Sequence, residues 1–320
     1  MRLRTILGIA VVVLIVAGLA GVIWRQSVVI RENRVRAHTI YSLEQELDAA
    51  RQELIQRREL LRSQTLANPS RTPDEFLALF PAKYPLGNWQ PAESVFEDCW
   101  FRSDDGLRLH GWLLHRDNPR EVVLLLHGNA GNLTHRAASA VALSERYQAS
   151  VFVFDYRGYG RSEGAPTIPG LLLDARAARA LVAEREGIRE ENVILLGESL
   201  GGAIAVHLAA EDGARALVLQ STFSSLKEVA AAHYPAILVD ALVANRLDSA
   251  AKIKSYRGPL LQVHGQADRT IPFALGWKLF ESANEPKHFV SLPGHDHNDP
   301  LLEPFSETLD RFLGRLPLRP

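Results

Sequence analysis

Sulfur is scarce in this chain. It carries one cysteine, Cys99, and one methionine in 320 residues. A lone thiol excludes an intramolecular disulfide framework and any metal site built from several cysteines. Histidine is better represented, with 11 residues, but no two stand at HExxH spacing, so the motif for a zinc-binding helix is missing. No metal and no cofactor is expected. An excess of one charge is also lacking. Lys and Arg number 36 against 37 Asp and Glu, for a formal net charge of −1. No global field draws the protein to nucleic acid, which is not expected as a partner. Glycine and proline are absent from residues 31–66. A stretch without either has nothing to break a helix.

What is present is a 47% hydrophobic chain, enough for one mid-sized globular domain with an appendage. The appendage comes first. Arg2 and Arg4 precede an uncharged run from Thr5 to Trp24. A helix needs roughly 20 apolar residues to cross a bilayer, and this run supplies them. Residues 1–30 are therefore expected to form a membrane anchor with its flanks. Gly18-Leu19-Ala20 also offers a cleavage site, so a removed signal peptide is the competing reading. Trp24 and Arg25 at the end of the run favour a retained anchor. Arginines flank both ends, since Arg25, Arg31, Arg34 and Arg36 answer Arg2 and Arg4. The charge rule for topology is nearly balanced, leaning to an extracytoplasmic catalytic domain.

Residues 31–68 read as a helical stalk. Ile40, Leu47, Leu54 and Leu61 recur at every seventh position, with Leu43 and Ala50 interleaved. That is a short heptad pattern, and it makes a homodimer through 31–66 an open possibility. Arg57 at the next interleaved site weakens the seam. A single amphipathic helix is the alternative. Pro69, Pro73, Pro81 and Pro85 then mark the entry to a globular domain over 69–320.

Within that domain strands and helices alternate. Residues 95–101 and 107–115 flank the hairpin signal Asp104-Asp105-Gly106. Apolar runs at 121–126, 151–154, 193–196, 216–219, 260–263 and 288–292 read as strands. Helical patterns at about 135–147, 169–186 and 304–313 separate or follow them. Apolar strands alternating with helices predict a mostly parallel sheet covered on both faces. In such sheets functional residues gather at the carboxyl ends of the strands.

The polar residues fall there. Gly197-Glu198-Ser199-Leu200-Gly201 follows one apolar strand and opens a small-residue helix. A serine between glycines at such a corner is a nucleophile elbow: Gly197 and Gly201 let the helix cross close behind the strand. His127-Gly128-Asn129 follows the first strand, and Asp155 to Gly164 the second. Asp268 follows the 260–263 strand, and His295 and His297 follow the last. A serine, an acid and a histidine thus appear in the chain order of a Ser-Asp-His triad. The acid and His297 are 297 − 268 = 29 residues apart, room for one helix and one strand. Gly158, Gly160 and Gly164 imitate a dinucleotide turn, but Glu163 stands where a glycine is needed and no acid closes the following strand.

The pieces HGNAGN at 127–132, DYRGYGRSEG at 155–164, GESLGG at 197–202, HGQADRTIP at 264–272 and GHDHND at 294–299 together resemble the α/β-hydrolase superfamily, and in detail the Bem46-like serine hydrolases. The resemblance spans about residues 95–313. It implies an α/β-hydrolase fold with a short cap, here about 221–259, and a Ser-Asp-His hydrolase of ester-like bonds, often membrane-tethered. It favours His297 over His295 as the base. Ser199 is then the nucleophile, His297 the base and Asp268 its orienting acid. The backbone N–H groups of Leu200 and Asn129 are the expected oxyanion donors, with Ala130 the alternative to Asn129. His127 and His264 are expected to be structural.

The expected reaction is hydrolysis of a carboxylic ester or thioester of a small-molecule, acyl or lipid-like substrate. An amidase or peptidase would use the same residues, and a non-catalytic membrane-tethered scaffold would need none of them. Apolar residues of the cap, among them Phe223, Tyr234, Ile237 and Leu238, either line an acyl pocket or pack on the sheet.

Overall fold

A computed structural model describes residues 72, 75, 78–91, 96–244, 247–299 and 305–317. The chain divides into two units, Met1–Leu66 and Ala67–Pro320. The expected anchor and stalk lie outside the described residues. No helix among those described is long and apolar enough to cross a membrane.

The second unit is built on an eight-stranded sheet. Its strands are β2 (Glu97–Arg102), β3 (Arg108–Leu114), β4 (Glu121–Leu126), β6 (Ala149–Asp155), β7 (Ile194–Glu198), β8 (Ala216–Gln220), β9 (Leu260–Gly265) and β10 (Lys287–Leu292). Two short strands, β1 (Phe80–Pro81) and β5 (Ala130–Gly131), pair apart from it. The order across the large sheet is β10-β9-β8-β7-β4-β6-β3-β2. Strands β2 and β3 form the expected hairpin, and β3 joins β6 antiparallel. All other pairs are parallel.

The sequence explains the sheet's centre. Every residue of β4 and β6 is buried. Successive side chains of a strand point to opposite faces, so uninterrupted apolar runs fill two cores at once. Leu124, Leu126, Phe152, Phe154 and Leu195 belong to one cluster, and Val123, Leu125, Val151, Val153 and Leu196 to the other. The first core is roofed by α2 (Ile168–Arg185) and α3 (Leu200–Asp212), with Thr167 capping α2 and Pro169 in its first turn. The second is covered by α1 (Ala137–Tyr147) and α8 (Phe305–Gly314). Helix α7 (Phe273–Ser282) lies between β9 and β10 in the chain.

The loop after β6 is braced by charge. Arg157 donates to both oxygens of Asp174 on α2, at 2.7 to 3.0 Å, and to Asp105 of the hairpin at 2.7 Å. Burial pushes the Asp174 carboxyl above its ordinary range although Arg157 opposes this.

Between β8 and β9 sits the cap. It leaves and returns through a narrow neck: Ser225 bridges Asp248, and the Leu226 amide donates to the Leu247 carbonyl at 3.1 Å. Inside it are α4 (Leu226–His233) and α5 (Ala236–Leu242). A single turn, α6 (Ser249–Lys252), follows.

Candidate active site

Ser199 sits at the corner between β7 and α3. Its backbone is at φ 53° and ψ −116°, a region that side chains rarely occupy. Such strain costs about 1–3 kcal/mol and persists only where the surroundings impose it. Here they do. The Ser199 amide donates to the Gln220 carbonyl at 2.9 Å, and the Ser199 carbonyl accepts from Thr222 Oγ1 at 2.8 Å. Helix α3 crosses so near that a methyl group on Gly197 would stand 2.5 Å from the Gly201 carbonyl oxygen. On Gly201 it would stand 2.0 Å from the carbonyl oxygen of Leu126. Both glycines are needed for backbone approach alone.

Two loops, after β9 and after β10, bring the acid and the imidazole. His297 Nε2 lies 3.2 Å from Ser199 Oγ, and His297 Nδ1 lies 2.8 Å from Asp268 Oδ2. The other Asp268 oxygen accepts the amides of Thr270 at 2.9 Å and Ile271 at 2.7 Å. His264 Nε2, on β9, is 3.3 Å from Asp268 Oδ2. Burial alone would raise this carboxyl. Hydrogen bonds from His264, His297 and the Ile271 amide outweigh it and hold Asp268 well below the usual carboxylate range. Asp268 is therefore a carboxylate facing an imidazole N–H. His295 is turned elsewhere, with Nδ1 3.1 Å from the Pro293 carbonyl. The loop is held by Asp296, which accepts from the His297 and Arg269 amides and pairs with the Arg269 side chain.

The turn after β4 faces the serine from the other side. A methyl group on Gly128 would be 3.4 Å from Ser199 Cβ. Asn129 directs its side chain away, Nδ2 donating to the Ala78 carbonyl at 2.9 Å, and its carbonyl accepts from Tyr159 Oη and the Phe80 amide. The Asn129 amide has no partner among the described residues, and nor has that of Leu200 at the start of α3. Ala130 belongs to β5, paired with Phe80. Beneath the turn, burial, with the positive charge of Arg136 adding to it, pulls the His127 imidazole down to about 3. That ring stays neutral, with Nδ1 2.7 Å from the Gly128 carbonyl. Asp155, whose Oδ1 accepts the Leu133 amide at 2.8 Å, is pushed up to about 7 by burial.

Ser199 and His297 open into a cleft of about 920 Å³. Its walls come from the turn after β4, from α1 and from the start of α8. Among the described residues, none of those that line it lies between 223 and 259. The apolar residues of the cap therefore split. Phe223 and Val239 are buried, whereas Ile237 is 78% and Leu238 49% exposed. Phe223 packs into the core beside the sheet, and Ile237 and Leu238 are not among the described residues that line the cleft. The sequence reading also missed an ion pair at the cleft. Arg136, ahead of α1, pairs with Glu198, the residue before the serine. An acid inside GESLG and a base one helix away was the available signal. Among the described residues no three His, Cys, Asp or Glu side chains are grouped as a metal site.

Comparison with known proteins agrees with this architecture. Residues 121–239 match the family model described as the alpha/beta hydrolase fold. The chain is 39% identical over 228 residues to the uncharacterized protein Rv2307c of Mycobacterium tuberculosis, covering 71% of this chain and 81% of that one. It is 30% identical over 225 residues to the alpha/beta hydrolase domain-containing protein WAV2 of Arabidopsis thaliana, covering 64% and 73%. In three dimensions it is similar to the Pyrococcus furiosus esterase Pf2001, with a TM-score of 0.62 and 20% identity over 74% of this chain and 99% of that one.

Proposed function

This chain belongs to the α/β-hydrolase family, and from that premise we propose that it is a serine hydrolase cleaving a carboxylic ester or thioester through an acyl-enzyme. The observation that carries the reading is the continuous line of contacts from Ser199 Oγ to His297 Nε2 at 3.2 Å and from His297 Nδ1 to Asp268 Oδ2 at 2.8 Å. A serine hydroxyl is a weak nucleophile without a base at such a distance. Ester chemistry is favoured by the fold's likeness to a protein named an esterase.

In this reading Ser199 Oγ attacks the substrate's carbonyl carbon while its proton passes to His297 Nε2. The carbonyl electrons move onto oxygen, and the resulting oxyanion takes hydrogen bonds from the Leu200 and Asn129 amides. Collapse of this intermediate breaks the bond to the alcohol or thiol, which leaves with the proton from Nε2. Water then repeats the sequence, His297 taking its proton, and the acid is released with Ser199 restored. Asp268 keeps the Nδ1 proton in place and stabilises the imidazolium. The apolar run 5–24 is part of the proposal as a membrane anchor. Full-length protein should pellet with membranes through a carbonate wash, whereas a chain starting at residue 69 should not.

The central test is labelling with a fluorophosphonate, which reacts with activated serines. Wild-type protein should label at Ser199. Equal labelling of Ser199→Ala sinks the proposal.

A further inference from the structure

We propose that the groove between α1 and α8 is the acyl-chain subsite of the Ser199 centre. It is built for an unbranched chain of about ten carbons, on the geometry below. The inference rests on the serine hydrolase reading and adds the part of the substrate that reading leaves open.

The cleft does not stop at the serine. It continues along α1, whose Ala138, Ser139, Ala142, Leu143, Arg146 and Tyr147 all line it. Positions spaced one, four, five, eight and nine residues from the first lie on one face of a helix. Opposite stand Phe305, Ser306 and Leu309 of α8, and the floor is Leu125 and Leu196 from the centre of the sheet. The two helices thus form walls and two adjacent parallel strands, β4 and β7, the bottom. The near half of the α1 wall is small. Ala138, Ser139 and Ala142 are exposed positions of a surface helix, where long polar side chains would ordinarily stand. Their shortness leaves a trough with an apolar bed.

Charge limits the trough at both ends. Near the serine, Arg136 pairs with Glu198. At the far end Arg146 of α1 and Asp310 of α8 meet in a two-point ion pair, with nitrogen–oxygen distances of 2.8 and 2.7 Å. Since these charges satisfy each other, the middle of the groove offers no unpaired ion to a ligand and suits a hydrocarbon. Its length follows from the helix. Ala138 to Tyr147 is nine steps of about 1.5 Å, or roughly 13 Å. An extended alkyl chain advances about 1.25 Å per carbon from its bond geometry, so about ten carbons fit. With the acyl carbon on Ser199 and its oxygen toward the Leu200 amide, the chain would pass over Leu196. It would end against the Arg146–Asp310 pair, which acts as the stop of a ruler.

A series of p-nitrophenyl esters from acetate to palmitate tests this on the full chain, with fluorophosphonate labelling in parallel. For wild type, kcat/KM should rise roughly tenfold or more from acetate to decanoate, the expectation for burying successive methylenes. Ala142→Trp fills the trough and should cut the decanoate-to-acetate ratio by a similar factor, about tenfold. Arg146→Ala removes the stop and should move the optimum to longer chains. Wild type that labels at Ser199 but treats acetate and decanoate alike overturns the groove and spares the serine hydrolase reading. An Ala142→Trp protein with wild-type melting and an unchanged ratio does the same. Should that variant fail to fold, Arg146→Ala decides, because an exposed ion pair contributes little stability, and an unmoved optimum refutes the ruler. Wild type that never labels at Ser199 removes the parent reading, and the groove falls with it.

Discussion

Replacing Asp268 by asparagine separates the acid's chemical role from its structural one. Oδ1 accepts two amides, from Thr270 at 2.9 Å and Ile271 at 2.7 Å. The asparagine carbonyl must take that place, because an NH₂ group cannot accept. The NH₂ then occupies the Oδ2 position, 2.8 Å from His297 Nδ1. His264 cannot relieve the mismatch. Its Nε2 lies 2.9 Å from the Ile271 carbonyl, so it carries a proton already. His297 is therefore driven to the tautomer with hydrogen on Nε2, where it can no longer accept the Ser199 proton. The loss for a triad in the wrong tautomer is about 10⁴ in kcat, or about 5 kcal/mol at 1.36 kcal/mol per tenfold. The fold should survive with a modest loss of stability. One charge-assisted hydrogen bond is lost, worth about 1.5–3 kcal/mol, and a domain of this size loses about 2–4 °C of melting temperature per kcal/mol. Asp268→Ala should be as inactive but melt lower still, since both amides lose their acceptor. The assays are steady-state hydrolysis of a p-nitrophenyl ester and a thermal melt. Asp268→Asn with kcat/KM within tenfold of wild type would refute the argument, since no tautomer change could then be limiting.

Two further outcomes follow from backbone strain and buried charge. Ser199→Gly should melt at or above Ser199→Ala, reversing the usual penalty of about 0.5–1 kcal/mol for glycine, because only glycine is released from strain at φ 53°; a Gly variant melting several degrees lower removes the strain. Arg157→Met strands the Asp174 carboxylate, at a cost of about 3–5 kcal/mol. The folded state holds the Asp174 carboxyl above its unfolded value of 3.8, so it binds more protons than the unfolded state as pH rises past that value, and stability falls. The variant's deficit in urea melts should be larger at pH 8 than at pH 5, and equal deficits contradict the assignment.

Much of this was legible in the chain. Strands β4 and β6 were legible through the apolar runs Val122 to Leu126 and Val151 to Phe154, which are buried on both faces of the sheet and too short for a helix that spans the domain. The elbow was legible because Gly197 and Gly201 stand where an added methyl group would come within 2.5 and 2.0 Å of backbone oxygens, a space that only glycine leaves free. Between His295 and His297 spacing alone did not choose; the family motif did, and only His297 lies within hydrogen-bonding distance of both Ser199 and Asp268. The cap was illegible for a physical reason. Ile237 and Leu238 are apolar, and hydrophobicity does not say which side of a short helix will be covered. The groove escaped notice because its marks are small residues on α1, which look like plain helix formers until a second helix stands opposite. Likewise His264 reads as a core histidine until β9 sets its ring against Asp268.

The neck of the cap has a consequence for how this molecule tolerates change. Ser225 and Asp248 stand side by side, so residues 226–247 begin and end at one point of the structure. Lengthening such a loop twofold adds only about 0.6 kcal/mol of closure entropy. Helix α4 is tied to the rest of the molecule, with His233 Nε2 2.8 Å from the carbonyl of Thr270, whose amide bonds Asp268, and Glu228 paired with Lys278 of α7, so added chain is best borne beyond it, where Ile237 and Leu238 are exposed. The exposed part of this segment is thus where the chain can be enlarged at least cost. Novelty in what the protein recognises can accumulate there while the reacting groups stay where they are.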